Sequence, residues 1–120
     1  MIVQFKEEEI DIMITALNQW GLNAQIDQAI EECAELIVAL NKHVKRTPKP
    51  EADDQRSLRS ETREQRPPRS ETLDHVLDEI ADVEMMLAQL RIAFDIDDST
   101  LRKRIEYKFK KLNQYLADDK

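Results

Sequence analysis

Five acidic residues in this sequence are spaced so that helices could aim them at one point. Glu31, Glu32 and Glu35 put three carboxylates into the five residues Glu31-Glu32-Cys33-Ala34-Glu35, inside an otherwise apolar stretch. Glu79 and Asp82, in Asp78-Glu79-Ile80-Ala81-Asp82, repeat the three-residue step of Glu32 and Glu35. Residues three apart on an α-helix lie roughly 60° apart around its axis, so each pair projects from one face as a two-pronged fork. Two such forks on facing helices would bring Glu32, Glu35, Glu79 and Asp82 together as four oxygen ligands. Crowded carboxylates repel one another and lose hydration unless a cation joins them, which points to a hard divalent metal ion.

The basic residues sharpen this expectation by where they are missing. Neither the window from Glu7 to Asn41 nor that from Ser70 to Leu90 contains a Lys or Arg, although both are rich in acids. Leu101 to Leu112, in contrast, carries Arg102, Lys103, Arg104, Lys108, Lys110 and Lys111 against the single acid Glu106. Acid and base separated in this way suit an anionic ligand that arrives with metal, such as a nucleotide polyphosphate.

The elements that must hold these groups are helical. The chain has one Gly and four Pro in 120 residues, which leaves little turn chemistry for a sheet. Leu, Ile, Ala, Glu and Lys favour helix. The expected fold is all-α, an antiparallel bundle of about four main helices in a single domain spanning 1–120.

The first helix is expected over about 6–20, with Glu7, Glu8, Glu9 and Asp11 near its positive end and Gly21 ending it. A second over about 23–45 repeats Ile26, Ile30, Cys33, Ile37, Leu40 and Val44 at alternating four and three, the predicted packing seam. A third, from Ser70 or Thr72 to about Phe94, repeats Val76, Ile80, Val83, Leu87, Leu90 and Phe94. A fourth over about 100–117 is capped by Asp98 or Ser99. Residues 47–69, with four prolines, many charges and the tetrad Arg59-Ser60-Glu61-Thr62 repeated as Arg69-Ser70-Glu71-Thr72, read as an inserted Pro- and Arg-rich loop. Some helix within 53–65 is compatible with their composition.

Composition bounds the function. A net charge of -7 argues against a nucleic-acid polymer as partner, although a free nucleotide needs only a local positive field. Cys33 is the only cysteine and cannot form an internal disulfide; as a seam residue it is expected in the core. There is neither a bilayer-spanning run nor a charged-then-apolar leader, so the cytoplasm is the expected location. A chain this short buries modest surface alone, which favours a homo-oligomer.

Glu31-Glu32-x-x-Glu35 followed by Glu79-x-x-Asp82, in a helical chain with a basic last helix, resembles the MazG-like nucleoside triphosphate pyrophosphohydrolases. These fall within the all-α group that includes dimeric dUTPases and dCTP pyrophosphatases. The strings Gln19-Trp20-Gly21 and Asp78-Glu79-Ile80-Ala81-Asp82-Val83-Glu84 are similar to those of small stand-alone, often phage-type, members. The resemblance covers roughly residues 10–46 and 72–112. It implies hydrolysis of a (d)NTP to (d)NMP and pyrophosphate, as a house-cleaning reaction on the nucleotide pool.

By the same resemblance, Mg²⁺, with Mn²⁺ as a substitute, is held by Glu32, Glu35, Glu79 and Asp82. Glu31 either supports the metal ligands from behind or helps to place the attacking water, and a carboxylate, Glu35 among the candidates, accepts the proton of that water. Arg104, Lys108 and Lys111 grip phosphates, and Trp20 contacts the base. Neighbouring subunits of a homodimer or homotetramer help to build the pocket. The chain departs from the family in one respect: 43 residues separate Glu35 from Glu79, more than is common there.

Plainer readings accompany these. The carboxylates could form a solvated acidic face, Trp20 could pack a helix end, and Lys108 and Lys111 could be ordinary surface charge. His43 and His75 fit no metal spacing with Cys33 and read as surface or hydrogen-bonded residues. For the whole chain, the alternative is a helical interaction or regulatory module whose acidic face docks a basic partner.

Overall fold

Each helix boundary has a local cause. At the start of the first helix, Glu7, Glu8 and Glu9 occupy the turn where free N–H groups and the helix dipole favour negative charge. The Lys6 N–H donates to the Glu9 carboxylate at 2.7 Å, which satisfies one of the free amides. This helix ends at Gly21, whose φ of 87° and ψ of 166° lie in a region essentially reserved for glycine. The Gly21 N–H still reaches the Leu17 carbonyl at 2.8 Å, so the next helix begins after a single residue.

A computed structural model describes residues 4–44 and 69–119. Among them it contains four helices: α1 (Glu7–Trp20), α2 (Leu22–Val44), α3 (Arg69–Ala93) and α4 (Asp98–Asp118). The chain is an all-α helical bundle, as its composition predicts. The expected loop lies outside the described residues except for Arg69, which starts α3, and the expected helical stretch within 53–65 lies outside them altogether.

The turn between α3 and α4 is closed by two bonds, Ile96 N–H to the Arg91 carbonyl at 2.9 Å and Asp95 N–H to that of Ile92 at 3.2 Å. Asp95 takes the left-handed conformation such a cap requires, with φ of 53°. Asp97, and not Asp98 or Ser99, then caps α4: its carboxylate accepts the Thr100 N–H at 2.6 Å. That bond holds the Asp97 carboxyl below the usual carboxylate range. The cap falls earlier than expected because the left-handed Asp95 turns the chain sharply enough for α4 to start at once.

The main packing is α2 against α3, with α1 touching both more lightly. The pair runs antiparallel. His43 Nδ1 meets Thr72 Oγ1 at 2.9 Å at one end, and Gln25 and Gln89 line one cleft at the other.

The face of α2 that enters this contact is not the predicted one. Gln25, Ala29, Glu32, Leu36, Ala39 and His43 turn inward, whereas Ile30, Cys33, Ile37, Leu40 and Val44 are exposed. The observed stripe is offset by one residue from the predicted seam, so Cys33 is a surface residue. Small Ala29 and Ala39 let the two backbones approach closely, which the bulkier stripe would not permit. On α3 the buried positions are Thr72, Val76, Glu79, Met86, Ala88 and Gln89, while Ile80, Leu87 and Phe94 stay exposed. Met85 is likewise exposed, although its apolar character suggests core.

α4 behaves differently. It packs against none of the other helices and has no buried residue. No described helix is long and apolar enough to cross a membrane.

Ala39 is 1% exposed at the α2–α3 contact, so it offers the clearest test of this register. Ala39→Leu is expected to destabilise by about 1–3 kcal/mol through overpacking. Ile37→Leu, on the outward face, should shift the melting midpoint little. Thermal unfolding followed by circular dichroism distinguishes this register from the predicted one, in which Ile37 would be the sensitive position.

Candidate functional site

The inward face of α2 and the facing side of α3 carry carboxylates at the same level. Because the helices are antiparallel, Glu32 faces Glu79 and Asp82, and one carboxylate oxygen from each lies within 4.8 Å of the others. The sequence predicted this meeting from two three-residue steps, and the geometry brings three of the four expected ligands together. Glu35 sits beside Glu32, where its negative charge raises the Glu32 pKa, but does not join the compact trio. With Glu31, His75 and Glu79 it lines a shallow hollow on the other side of the seam.

The environment of these carboxylates is unusual for a helix pair. Glu32 Oε1 accepts the Gln28 side-chain amide at 2.7 Å, and Glu79 Oε1 lies 3.2 Å from His75 Nε2. The second oxygen of each, Glu32 Oε2 and Glu79 Oε2, is buried with no hydrogen-bond partner. Among the described residues no Lys or Arg pairs with Glu32, Glu79 or Asp82. Burial pushes the Glu32 carboxyl above its ordinary value, and the negative charges of Glu35 and Asp82 push the same way, against the Gln28 hydrogen bond. Two unpartnered buried oxygens in a set of hard donors fit a divalent cation, with positions left for water or phosphate oxygens.

A cleft of about 540 Å³ opens beside the trio. Glu32 and Asp82 line it at one end and Trp20 at the other, with Gln25, Gln28 and Gln89 between them. Trp20 remains 63% exposed, so it forms part of the mouth and not the core. Gly21 positions it, because ending α1 there sets the last α1 side chain beside the first turns of α2.

The predicted phosphate-binding residues lie elsewhere in the chain. Arg104, Lys108 and Lys111 are on α4, which does not reach the helices that carry the carboxylates. Lys108 and Lys111 instead hold their ammonium groups 6.0 and 5.5 Å from the Tyr107 ring centroid, and Arg102 pairs with Glu106 at 3.3 Å. The physical reason is the Asp95 turn, which sends α4 away from the bundle. Conversely, sequence reasoning left out His75 as a support for Glu79 and the glutamines of the cleft. A carboxamide four residues before Glu32 was the one signal available for Gln28.

A raised carboxyl means that the folded protein holds the Glu32 proton more tightly than the unfolded chain does. This residue therefore lowers stability as pH rises from the ordinary value of 4.5 through its higher folded value. Glu32→Gln in chelator should raise the melting midpoint at pH 7 and flatten its fall between pH 4 and 7. Saturating Mn²⁺ should stabilise the wild type by about 2–3 kcal/mol at a hundredfold excess over Kd, and the variant much less. Calorimetric melts with and without metal check both statements. No protein-family model, curated protein or solved structure matches this chain.

Proposed function

We propose that this protein is a Mg²⁺-dependent nucleoside triphosphate pyrophosphohydrolase of the MazG-like kind, which cleaves a (d)NTP into (d)NMP and pyrophosphate in the cytoplasm. The observation that carries this reading is the pair of buried, unpartnered carboxylate oxygens of Glu32 and Glu79 beside Asp82, at the end of a cleft of nucleotide size. Glu32, Glu79 and Asp82 would hold the ion, with Glu35 completing the set from beside Glu32. Held by these residues, Mg²⁺, or Mn²⁺ in its place, would supply positive charge against the substrate phosphates and make the attacking water more acidic. Glu35 would take the proton of that water, with Glu31 helping to place it, as the water oxygen adds to the α-phosphorus and the bond from that phosphorus to the bridging oxygen breaks, pyrophosphate leaving with that oxygen. Trp20 would flank the base.

The same proposal assigns α4 to a second copy of the chain, in a homodimer or homotetramer. Its apolar side chains Phe109, Leu112, Tyr115 and Leu116 are exposed, as are Ile30, Ile37, Leu40 and Val44 on the outward face of α2. Most helical stability in proteins comes from packing an apolar face, and α4, 21 residues long, packs against no other described helix. Charge supports the pairing: α4 carries the basic run and α2 and α3 carry the acids. In such an assembly Arg104, Lys108 and Lys111 would approach the carboxylates of a partner copy.

A panel of NTPs and dNTPs scored for pyrophosphate, with and without Mg²⁺, tests the activity. At least one should be cleaved. Glu35→Gln and Asp82→Asn should each lower kcat by at least about a hundredfold with helicity unchanged. Full activity in those variants would remove the ligand assignment. Absence of any calorimetric heat with Mg²⁺ or Mn²⁺ would favour the interaction module. Light scattering should give a mass two or four times that of one chain, and Leu112→Asp should shift it downward.

A further inference from the structure

The cleft contains polar groups that neither cation binding nor phosphate cleavage requires. Gln25 is 4% exposed and Gln89 is 8% exposed, yet both line the cleft between Trp20 and the carboxylates. Neither carboxamide has a hydrogen-bond partner among the described residues, nor is either sealed from the cleft. Open to the cleft, these amides are left to solvent alone, whereas an apolar side chain at either position would need no such contact. Their retention at the floor of a cleft makes sense when a ligand takes over those bonds from water.

We propose that Gln25 and Gln89 read the hydrogen-bonding edge of the nucleobase, an assignment that rests on the nucleotide reading of the cleft. A carboxamide presents a donor and an acceptor side by side, the pattern needed to pair with the adjacent donor and acceptor on a base edge. The layout orders the ligand along the cleft: the Trp20 face at the mouth, the amides of Gln25 and Gln89 against the base edge, and the phosphates toward Glu32 and Asp82. Met85 and Met86 line the same cleft and supply adaptable apolar contact to the ring. A volume of about 540 Å³ lies within the range of small-molecule sites. Gln25 and Gln89 come from different helices, so both amides face one ligand only while α2 and α3 keep their register.

The test separates base recognition from catalysis. Trp20 is the only tryptophan in the chain, so its fluorescence reports on the cleft directly. The full chain in Mg²⁺ is titrated with nucleoside 5′-monophosphates and, in parallel, with ribose 5-phosphate, which lacks a base. At least one monophosphate should change the emission, with ribose 5-phosphate binding at least about tenfold more weakly. Gln25→Met and Gln89→Met keep the side-chain length but remove the amide, and each should weaken the monophosphate at least about tenfold. Gln89→Glu offers acceptors only and should move the order of preference toward bases that present donors on the edge, guanine first through its N1–H and amino group, then cytosine and adenine through their amino groups.

Circular dichroism confirms folding, and if one methionine variant unfolds, the other and Gln89→Glu carry the test. Unchanged affinity in the variants, equal binding of ribose 5-phosphate, or no response to any nucleotide overturns the proposal. Pyrophosphate release that persists with unaltered base preference in both methionine variants sinks this inference alone. Glutamine-dependent monophosphate binding without hydrolysis of any triphosphate sinks the enzyme reading and leaves this one standing.

Discussion

The structure turns on two carboxylates buried where a helix pair would normally place apolar side chains. Glu32 and Glu79 sit on the inward faces of α2 and α3, each with one oxygen bonded and one without a partner. An unsatisfied buried oxygen costs on the order of 1–3 kcal/mol, so two of them take a sizeable share of a domain's net stability of roughly 5–15 kcal/mol. The surrounding contacts must offset that cost. Ala29 and Ala39 permit close helix approach, Val76 and Met86 fill the seam, and Gln28 and His75 each bond one oxygen. Lysine or arginine would relieve the repulsion directly, and both inward faces lack them.

The helices were legible in the sequence to within a residue or two at most ends, because Gly21 and the acidic start of α1 are strong local signals. The carboxylate cluster was legible for a different reason. Its spacing is fixed by helix geometry, and the absence of basic neighbours over two long windows is a property of sequence alone. What the sequence concealed was the facing of α2. Its second half is apolar nearly all round, so the most hydrophobic stripe, Ile30, Ile37 and Leu40, drew the prediction. Packing selected the stripe of small and polar residues beside it. Gln25 and Gln89 were hidden by the same bias, since a glutamine within a helix reads as solvated unless the facing is already known.

The chain divides its work unevenly along its length. α1, α2 and α3 build the cleft and the acidic cluster, whereas α4 holds six of the chain's 18 lysines and arginines and no buried residue. The Asp95 turn is what keeps these parts separate. With φ of 53° and two capping bonds, it stops α3 sharply and redirects the chain before the basic run begins. Opposite charges on α4 and on the α2–α3 pair are thereby held apart, which leaves the carboxylates unneutralised by the basic residues of α4.

Gly21 is the single glycine in the chain, and a Cβ built there would meet no neighbouring atom within 4 Å. The position is closed to other residues by handedness alone and not by space. Its dihedral pair, reflected, falls in the broad extended region that ordinary residues occupy freely. A mirror-image alanine introduced by chemical ligation would thus adopt the link between α1 and α2 without strain. By removing the glycine's wide freedom in the unfolded chain, it would stiffen the joint that carries the indole.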